Sequence, residues 1–550
     1  MKRMKAVKNQ SRAIFAGIIL LVCFSLKLAS IILCFDWGNS SRLLLKEAFL
    51  ITVCSLAISR PIKCLVLPIP IFLHVAQFVN ACSTGNFIEV LTLQNLGEAG
   101  TLGTKELLRL SVLGLGYLIL FVPDIFLRLQ IVWKNKILAV SASFLCVLAI
   151  AIAELAYPKF PIHHFVHQAS VAYRGIGFEP TGKNGELFFK NAVPGASSEL
   201  VRKYRDAFGR PLNVIVIFTE GTSLEVISPG LTPNAWRLSG KSLAVTNYFN
   251  HTAATFRGIR GQMISGYQYL GGHYQDKKGV GQATPRKLLS VYGDKTESLA
   301  AVLRDKGYAT GFLSPHDKDE QLRFLMQASG FEKTYSSEDC GPNEELTDKM
   351  QYECLFKRAE QYSADRKPFF LSTYVVGTHH GMDSPDLKWK DGDNAYLNKF
   401  HNQDHWLGVF LEQFKQSPMS ENTLLVFTTD HATYPTDQYN KTFGTKARYF
   451  VGKIPLLFYL KGNDPAVLDA GNRNSLCFAP TLLDLLGVTD VPNHFLGESL
   501  FSDGHSVFSR LSIFNDVLFE TKSGEVNEIS PQDLPPGLLD RILKFYDYAG

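Results

Sequence analysis

Residues 214–223 read VIVIFTEGTS: four β-branched residues and a phenylalanine, then Thr219, Glu220, a glycine and two hydroxyls. A continuous apolar run of this length, bounded by turn residues, predicts a strand buried on both faces. The carboxylate of Glu220 at its tip is costly to bury unless something pairs with it. Its partner must come from elsewhere in the chain.

Outward from this run, strand-like and helix-like segments alternate. After LNVIVIFTE come a helical SLAAVLRDKGY from Ser298, then ATGFLSPHD, PFFLSTYVVGTHH, a helix through HNQDHWLGVFLEQF, TLLVFTTDH, IPLLFYLKG and a helix in APTLLDLLG. This order predicts an α/β domain with a mostly parallel sheet flanked by helices. Four strands end in polar residues: Glu220, His316, His379 with His380, and Asp430 with His431. The carboxyl ends of parallel strands share one edge, where ligands bind, so these residues are expected to converge. Glu220, Asp430 and His431 make a mixed oxygen and nitrogen set that suits zinc or manganese.

The first 157 residues are of another kind. The chain has 550 residues, 46% of them hydrophobic, and a mean hydropathy near zero that averages an apolar N-terminal part with a polar remainder. Apolar segments at 12–35, 43–58, 64–79, 107–127 and 137–157 predict a bundle of five membrane spans. The second and third are interrupted by Lys46, Glu47, Pro68 and Pro70 and read alternatively as one re-entrant hairpin. Lys2, Arg3, Lys5, Lys8 and Arg12, then Arg60 and Lys63, then Arg128, Lys134 and Lys136 fall on one face, which the positive-inside rule makes cytoplasmic. The N-terminus is thus cytoplasmic, the first span an anchor, and everything after about Tyr157 exported. Lys27, in the outer half of the first span, is expected to snorkel toward the headgroups.

The net charge of +5 owes much to those cytoplasmic clusters, and the exported part carries no nucleic-acid signature. Residues 158–210, opening YPKFPIHHFVHQ and ending SSELVRKYRDAFGRP, suit an interfacial linker, and 211–550 form the catalytic domain. Of the three exported cysteines, Cys340 and Cys354 flank a short polar loop and suit a disulfide, while Cys477 suits a buried thiol.

A bound metal with few protein ligands activates a nucleophile. The candidate is Thr255 in YFNHTAATFRGIRGQMISG, at the start of a helix whose free N–H groups favour an arriving phosphate, with Arg257 beside it to neutralise charge.

Taken in order, Glu at the end of a first strand, Thr soon after, two His-tipped strands and a late Asp-His resembles the membrane-anchored sulfatase-like transferases of the alkaline phosphatase superfamily. Within it the chain resembles the lipoteichoic acid synthase and phosphoglycerol transferase branch, sister to the phosphoethanolamine transferases. The resemblance extends to IPLLFYLKG, APTLLDLLG and FLGESL. It implies metal ligation by Glu220, Thr255, Asp430 and His431, with Thr255 as the nucleophile that takes up a phospho-headgroup. It also implies that His316 and His379 or His380 hold phosphate oxygens and assist proton transfer. EGTS departs from the ETAR-like run of many phosphoethanolamine transferases, and around HDKDEQLRF only Arg323 stands in for the lipoteichoic synthases' headgroup contacts.

The implied activity is metal-dependent transfer of a phospho-headgroup, phosphoglycerol before phosphoethanolamine, from a membrane phospholipid to an envelope glycan or glycolipid. The implied place is a bacterial inner membrane, with the catalytic domain periplasmic. Sulfate ester hydrolysis is disfavoured, because Thr-Phe-Arg-Gly stands where a Cys/Ser-x-Pro-x-Arg motif would. A non-catalytic lipid-binding scaffold would be expected to have lost the nucleophile or the ligands, and here all are present.

Overall fold

All seven residues of β1 (Asn213–Thr219) are buried, as the apolar run demands. In this computed structural model the described residues are 2–34, 39–57, 60–84, 87–88, 104–127, 161–166, 188–193, 199–205, 211–267, 296–318, 321–341, 345–365, 367–504, 506–514 and 517–538, with single positions 169, 195, 289, 542 and 545. Around β1 run β2 (Leu243–Thr246), β3 (Ala309–Leu313), β4 (Lys333–Tyr335), β5 (Phe369–Val375), β6 (Thr423–Thr429), β7 (Leu456–Tyr459) and β8 (Ala466–Asp469). They form one sheet in the order β4-β3-β5-β1-β6-β7-β2-β8. β1 pairs in parallel with β5 and β6, and β5 with β3, whereas β7 runs antiparallel to both its neighbours.

The strands expected to carry polar tips are therefore contiguous and parallel. Period-two alternation divides β1 between two cores. Val214, Val216 and Phe218 pack with Ile259, Met263 and Leu482; Ile215 and Ile217 pack with Tyr352, Leu407 and Phe410. Burying five such side chains contributes about 2 kcal/mol each, so β1 is held from both faces and its tip has little freedom.

The expected helices appear at Leu299–Asp305, Ala395–Gln416 and Phe478–Leu485. The short strands β2, β4 and β8, and an antiparallel sheet of β9 (Leu511–Phe514), β10 (Val517–Lys522) and β11 (Glu525–Ile529), are additions to the sequence reading. Runs of three to six residues are too short for periodicity alone to separate strand from helix or loop. Cys340 and Cys354 form a disulfide with Cα atoms 5.6 Å apart, and Cys477 is a buried free thiol.

Two compact units divide the chain: residues 1–173 with 435–445, and 174–434 with 446–550. The first holds the helices Lys2–Cys34, Asn39–Ala57, Arg60–Val66, Pro68–Thr84, Thr104–Ile119 and Val122–Phe126. Among the described residues, two helical stretches are long and apolar enough to cross a membrane, Phe15–Cys34 and Leu108–Phe126. This corrects the expectation of five. Arg42, Lys46 and Glu47 spoil Asn39–Ala57, and Pro68–Thr84 has only 17 residues. The fifth expected span, at 137–157, lies outside the described residues, as does most of the linker.

Lys27 also departs from expectation. Rather than snorkelling it is fully buried, with Nζ 2.6 Å from Asp124 Oδ2 and donating to Thr52 Oγ1 at 3.0 Å. Glu47, read as an interruption, is likewise buried; it pairs with His74 and accepts from the Ile162 amide at 2.8 Å.

Candidate metal and phosphotransfer site

The question posed by EGTS is answered by a zipper between two loops. Past the ends of β1 and β6, Gly221 N–H donates to Asp430 Oδ1 at 2.8 Å and Thr222 N–H to Thr429 Oγ1 at 3.0 Å. Ser223 N–H donates to Thr433 Oγ1 at 2.9 Å, and Thr433 N–H returns a bond to Ser223 Oγ at 2.8 Å. The hydroxyls after Glu220 thus bind its loop to the Asp430–His431 loop. Gly221 sits at φ +47, and a Cβ there would lie 3.4 Å from the His431 ring.

The helix Thr255–Ile264 closes the site. It is entered through Ala254 at φ 72, a conformation an L residue rarely adopts. Gly258 brings the helix onto β6, since a Cβ there would stand 2.3 Å from the Asp430 carbonyl oxygen. Thr255 Oγ1 donates to Glu220 Oε2 at 2.9 Å. The Tyr374 hydroxyl donates to the same carboxylate oxygen and lies 3.4 Å from Thr255 Oγ1. Glu220, Asp430 and His431 are buried while Thr255 is half-buried, so the hydroxyl is the open side of the cluster.

Glu220, Asp430 and His431 each present a ligand atom, all within 4.8 Å of one another. His431 Nε2 lies 3.4 Å from both Glu220 Oε1 and Asp430 Oδ2. Burial pushes both carboxyls up. For Glu220, the charges of His431 and His379 and the Tyr374 hydrogen bond outweigh burial and hold it low. For Asp430, the Glu220 charge adds to burial and drives it well above the carboxylate range. Asp430 Oδ2 is buried and accepts no hydrogen bond among the described residues. Two buried carboxyl groups, one with an orphaned oxygen, beside an imidazole fit a divalent cation.

The other expected residues divide. His316 follows β3, with its ring 6.1 Å from that of Tyr374, and its Nδ1 is 2.8 Å from Glu345 Oε2. Burial raises Glu345, but the His316 hydrogen bond and charge outweigh it and hold that acid low. His379 follows β5 within electrostatic reach of Glu220, whereas His380 faces Tyr434 at 5.7 Å. Arg257 is buried with its guanidinium 6.0 Å from the Phe514 ring, whose neighbour Phe450 meets His431 edge-on at 4.8 Å. Arg323 is not brought to the cluster. Its guanidinium folds back on the Lys318 carbonyl at 2.6 Å and over Phe324.

Two residues at the site escaped sequence reasoning. Tyr374 looks like one more core aromatic of β5. Lys399, in Ala395–Gln416, is 2% exposed and donates from Nζ to the His379 carbonyl at 3.1 Å. Its signal was a lysine on the stripe Tyr396, Phe400, Gln403, Leu407, where helical periodicity expects apolar residues.

A model of the sulfatase family matches residues 212–488, just over half of the chain. Phosphoglycerol transferase I of Escherichia coli is 24% identical over 310 residues, covering 50% of this chain and 37% of that protein. The chain spans less than half the length of the curated relatives it matches. Among solved structures the chain is similar to a protein in the alkaline phosphatase superfamily from Vibrio parahaemolyticus and to the lipoteichoic acid synthase of Listeria monocytogenes. Each aligns at 17% identity and a TM-score of 0.47, covering 69% and 65% of this chain and 92% and 94% of theirs.

Proposed function

The chain belongs to the sulfatase family, and from the geometry of its strand tips we propose that it transfers a phospho-headgroup, phosphoglycerol by preference, from a membrane phospholipid to an envelope glycan or glycolipid. The observation that carries the reading is the Thr255 hydroxyl, half-exposed at a helix N-terminus and bonded to Glu220 at 2.9 Å, beside Glu220, Asp430 and His431, whose ligand atoms lie within 4.8 Å of one another. The 24% identity to a phosphoglycerol transferase supports the choice of headgroup.

Glu220, Asp430, His431 and Thr255 would hold zinc or manganese, which when bound supplies positive charge that lowers the hydroxyl's pKa and offsets charge on phosphorus. Thr255 Oγ attacks the phosphodiester, its P–O bond forms as the bond to diacylglycerol breaks, and the diacylglycerol oxygen takes a proton from His316 or His379. The proton of Thr255 leaves along its hydrogen bond to Glu220. In the second half an acceptor hydroxyl gives its proton to that same histidine and attacks the phospho-threonine, whose P–O bond breaks as Thr255 takes its proton back along the Glu220 hydrogen bond, a ping-pong course. Arg257, buried in the first turn of the helix that Thr255 opens, and His380 would add positive charge for the phosphate. The work takes place at a bacterial inner membrane, with the sheet domain on the periplasmic side and the apolar N-terminal helices as anchor.

Incubation of the full chain with labelled phosphatidylglycerol, or separately phosphatidylethanolamine, followed by intact mass measurement tests this. A phosphoglycerol adduct on wild type and none on Thr255→Ala is expected. A phosphoethanolamine adduct would transfer the reading to that headgroup, and no adduct from either lipid would favour a non-catalytic scaffold.

A further inference from the structure

Lys399 is a buried cation that meets no carboxylate among the described residues. Its Nζ has one hydrogen-bond acceptor among the described residues, the His379 carbonyl, and no carboxylate within ion-pair distance. The rings of Tyr396 and Phe400 stand 4.9 and 5.2 Å from it. Burial pushes its ammonium down to about 8, against a raising influence from the charge of Glu220. Lysine is rarely buried without a counter-ion, because stripping water from an ammonium costs several kcal/mol. In the N-terminal unit buried Lys27 sits 2.6 Å from Asp124, and buried Lys63 donates to two carbonyls, those of Asp124 at 3.2 Å and Leu127 at 3.1 Å, where Lys399 has one. At Lys399 two of three N–H donors have no protein acceptor among the described residues, beside the loop that carries His379.

We propose that Lys399 is an anion-binding residue of this site, its ammonium anchored on the His379 carbonyl and taking a non-bridging oxygen of the phosphate ester that Thr255 receives. The inference rests on the headgroup-transfer reading for the identity of that ester, while its chemistry, a tetrahedral oxyanion, is shared by free phosphate. A point charge with free donors suits such an oxyanion and would offset the negative charge that grows as Thr255 attacks. The structural alternative, a lysine that merely ties down the His379 loop, would show itself in stability and not in anion affinity.

The test uses the full chain in detergent with manganese present. Inorganic phosphate is titrated by calorimetry into wild type, Lys399→Met and Lys399→Arg, and KM is measured on phosphatidylglycerol vesicles with phosphatidylcholine vesicles as control. Lys399→Met is expected to weaken phosphate at least tenfold and to raise KM for phosphatidylglycerol comparably, with Tm unchanged or higher. Lys399→Arg should stay within about threefold of wild type.

An unchanged phosphate affinity in folded Lys399→Met overturns the proposal. Weakened phosphate with an unchanged KM overturns its part in lipid transfer and confines the residue to free phosphate. Should Lys399→Met not fold, lysine-¹³C-labelled wild type decides: the Lys399 Cε signal, identified by its loss in Lys399→Arg, must shift with phosphate, and a fixed signal sinks the idea. Lys399-dependent phosphate binding in a protein that forms no Thr255 adduct would retain this inference while the transfer reading fell.

Discussion

In the N-terminal unit Lys27 meets Asp124 at 2.6 Å and Glu47 meets His74, base against acid, with all four side chains withdrawn from solvent. At the strand tips Glu220 and Asp430 are buried together with one imidazole 3.4 Å from each, and one Asp430 oxygen has no hydrogen bond among the described residues. The first arrangement is complete in the protein alone, so its charges hold helices together. The second sets two acids against one imidazole, an imbalance that a divalent cation would offset. A complete ion pair reads as architecture, and a buried set with a surplus of acid reads as a place for a ligand.

Asp430→Asn should break the comparison most visibly. Removing one of two crowded carboxylates is expected to lower transfer activity by about a thousandfold or more. Metal content by elemental analysis should fall well below one per chain. The metal-free protein should melt at the same temperature or higher, because the repulsion with Glu220 is gone. A clear loss of stability in metal-free Asp430→Asn would mean that the cluster is a structural pair like Lys27–Asp124.

The converse holds for the N-terminal pair. Lys27→Met or Asp124→Leu alone strands a buried charge and should cost about 3–5 kcal/mol, read as a lower Tm of the full chain in detergent. The double substitution should recover most of that loss, since the two apolar side chains need no partner. Additive losses would show that the pair is not a unit.

How far the sequence carries these distinctions differs by residue. Glu220, Asp430 and His431 are legible because each ends an apolar run, and parallel strands bring such ends to one edge. Thr255 is legible as a helix start. The hydroxyls of Thr222, Ser223, Thr429 and Thr433 are legible as polar residues but not as a zipper, because their pairing depends on β1 and β6 being neighbours across more than two hundred residues. Lys27 was misread for the same reason: snorkelling is the answer for a lone helix, and Asp124 is 97 positions away. Arg323 is legible only through its place in a resemblance, and its guanidinium rests on the Lys318 carbonyl five residues before it.

Asp348 sharpens the comparison with the third fate open to a buried carboxyl, neutrality. It opens the helix Asp348–Ala364, accepts from Asn402 Nδ2 at 2.8 Å, and lies so close to Gly377 that a Cβ there would come within 2.1 Å of it. It thus joins the His379 loop to the helix that bears Lys399. Burial, the dominant influence, outweighs those hydrogen bonds and raises its carboxyl from 3.8 to about 7. In the unfolded chain that proton leaves near pH 4, in the folded chain near 7. Stability is therefore fully present below pH 4 and declines as pH rises to 7, by about 1.4 kcal/mol per pH unit and about 4 kcal/mol in all, then levels off. Asp348→Asn lacks that slope. Its Tm advantage over wild type should widen from pH 5 to pH 7 and hold constant beyond. A gap that stays flat across that range would mean that the carboxylate is charged and paired in the folded protein, and Asp348 would then belong with Asp124.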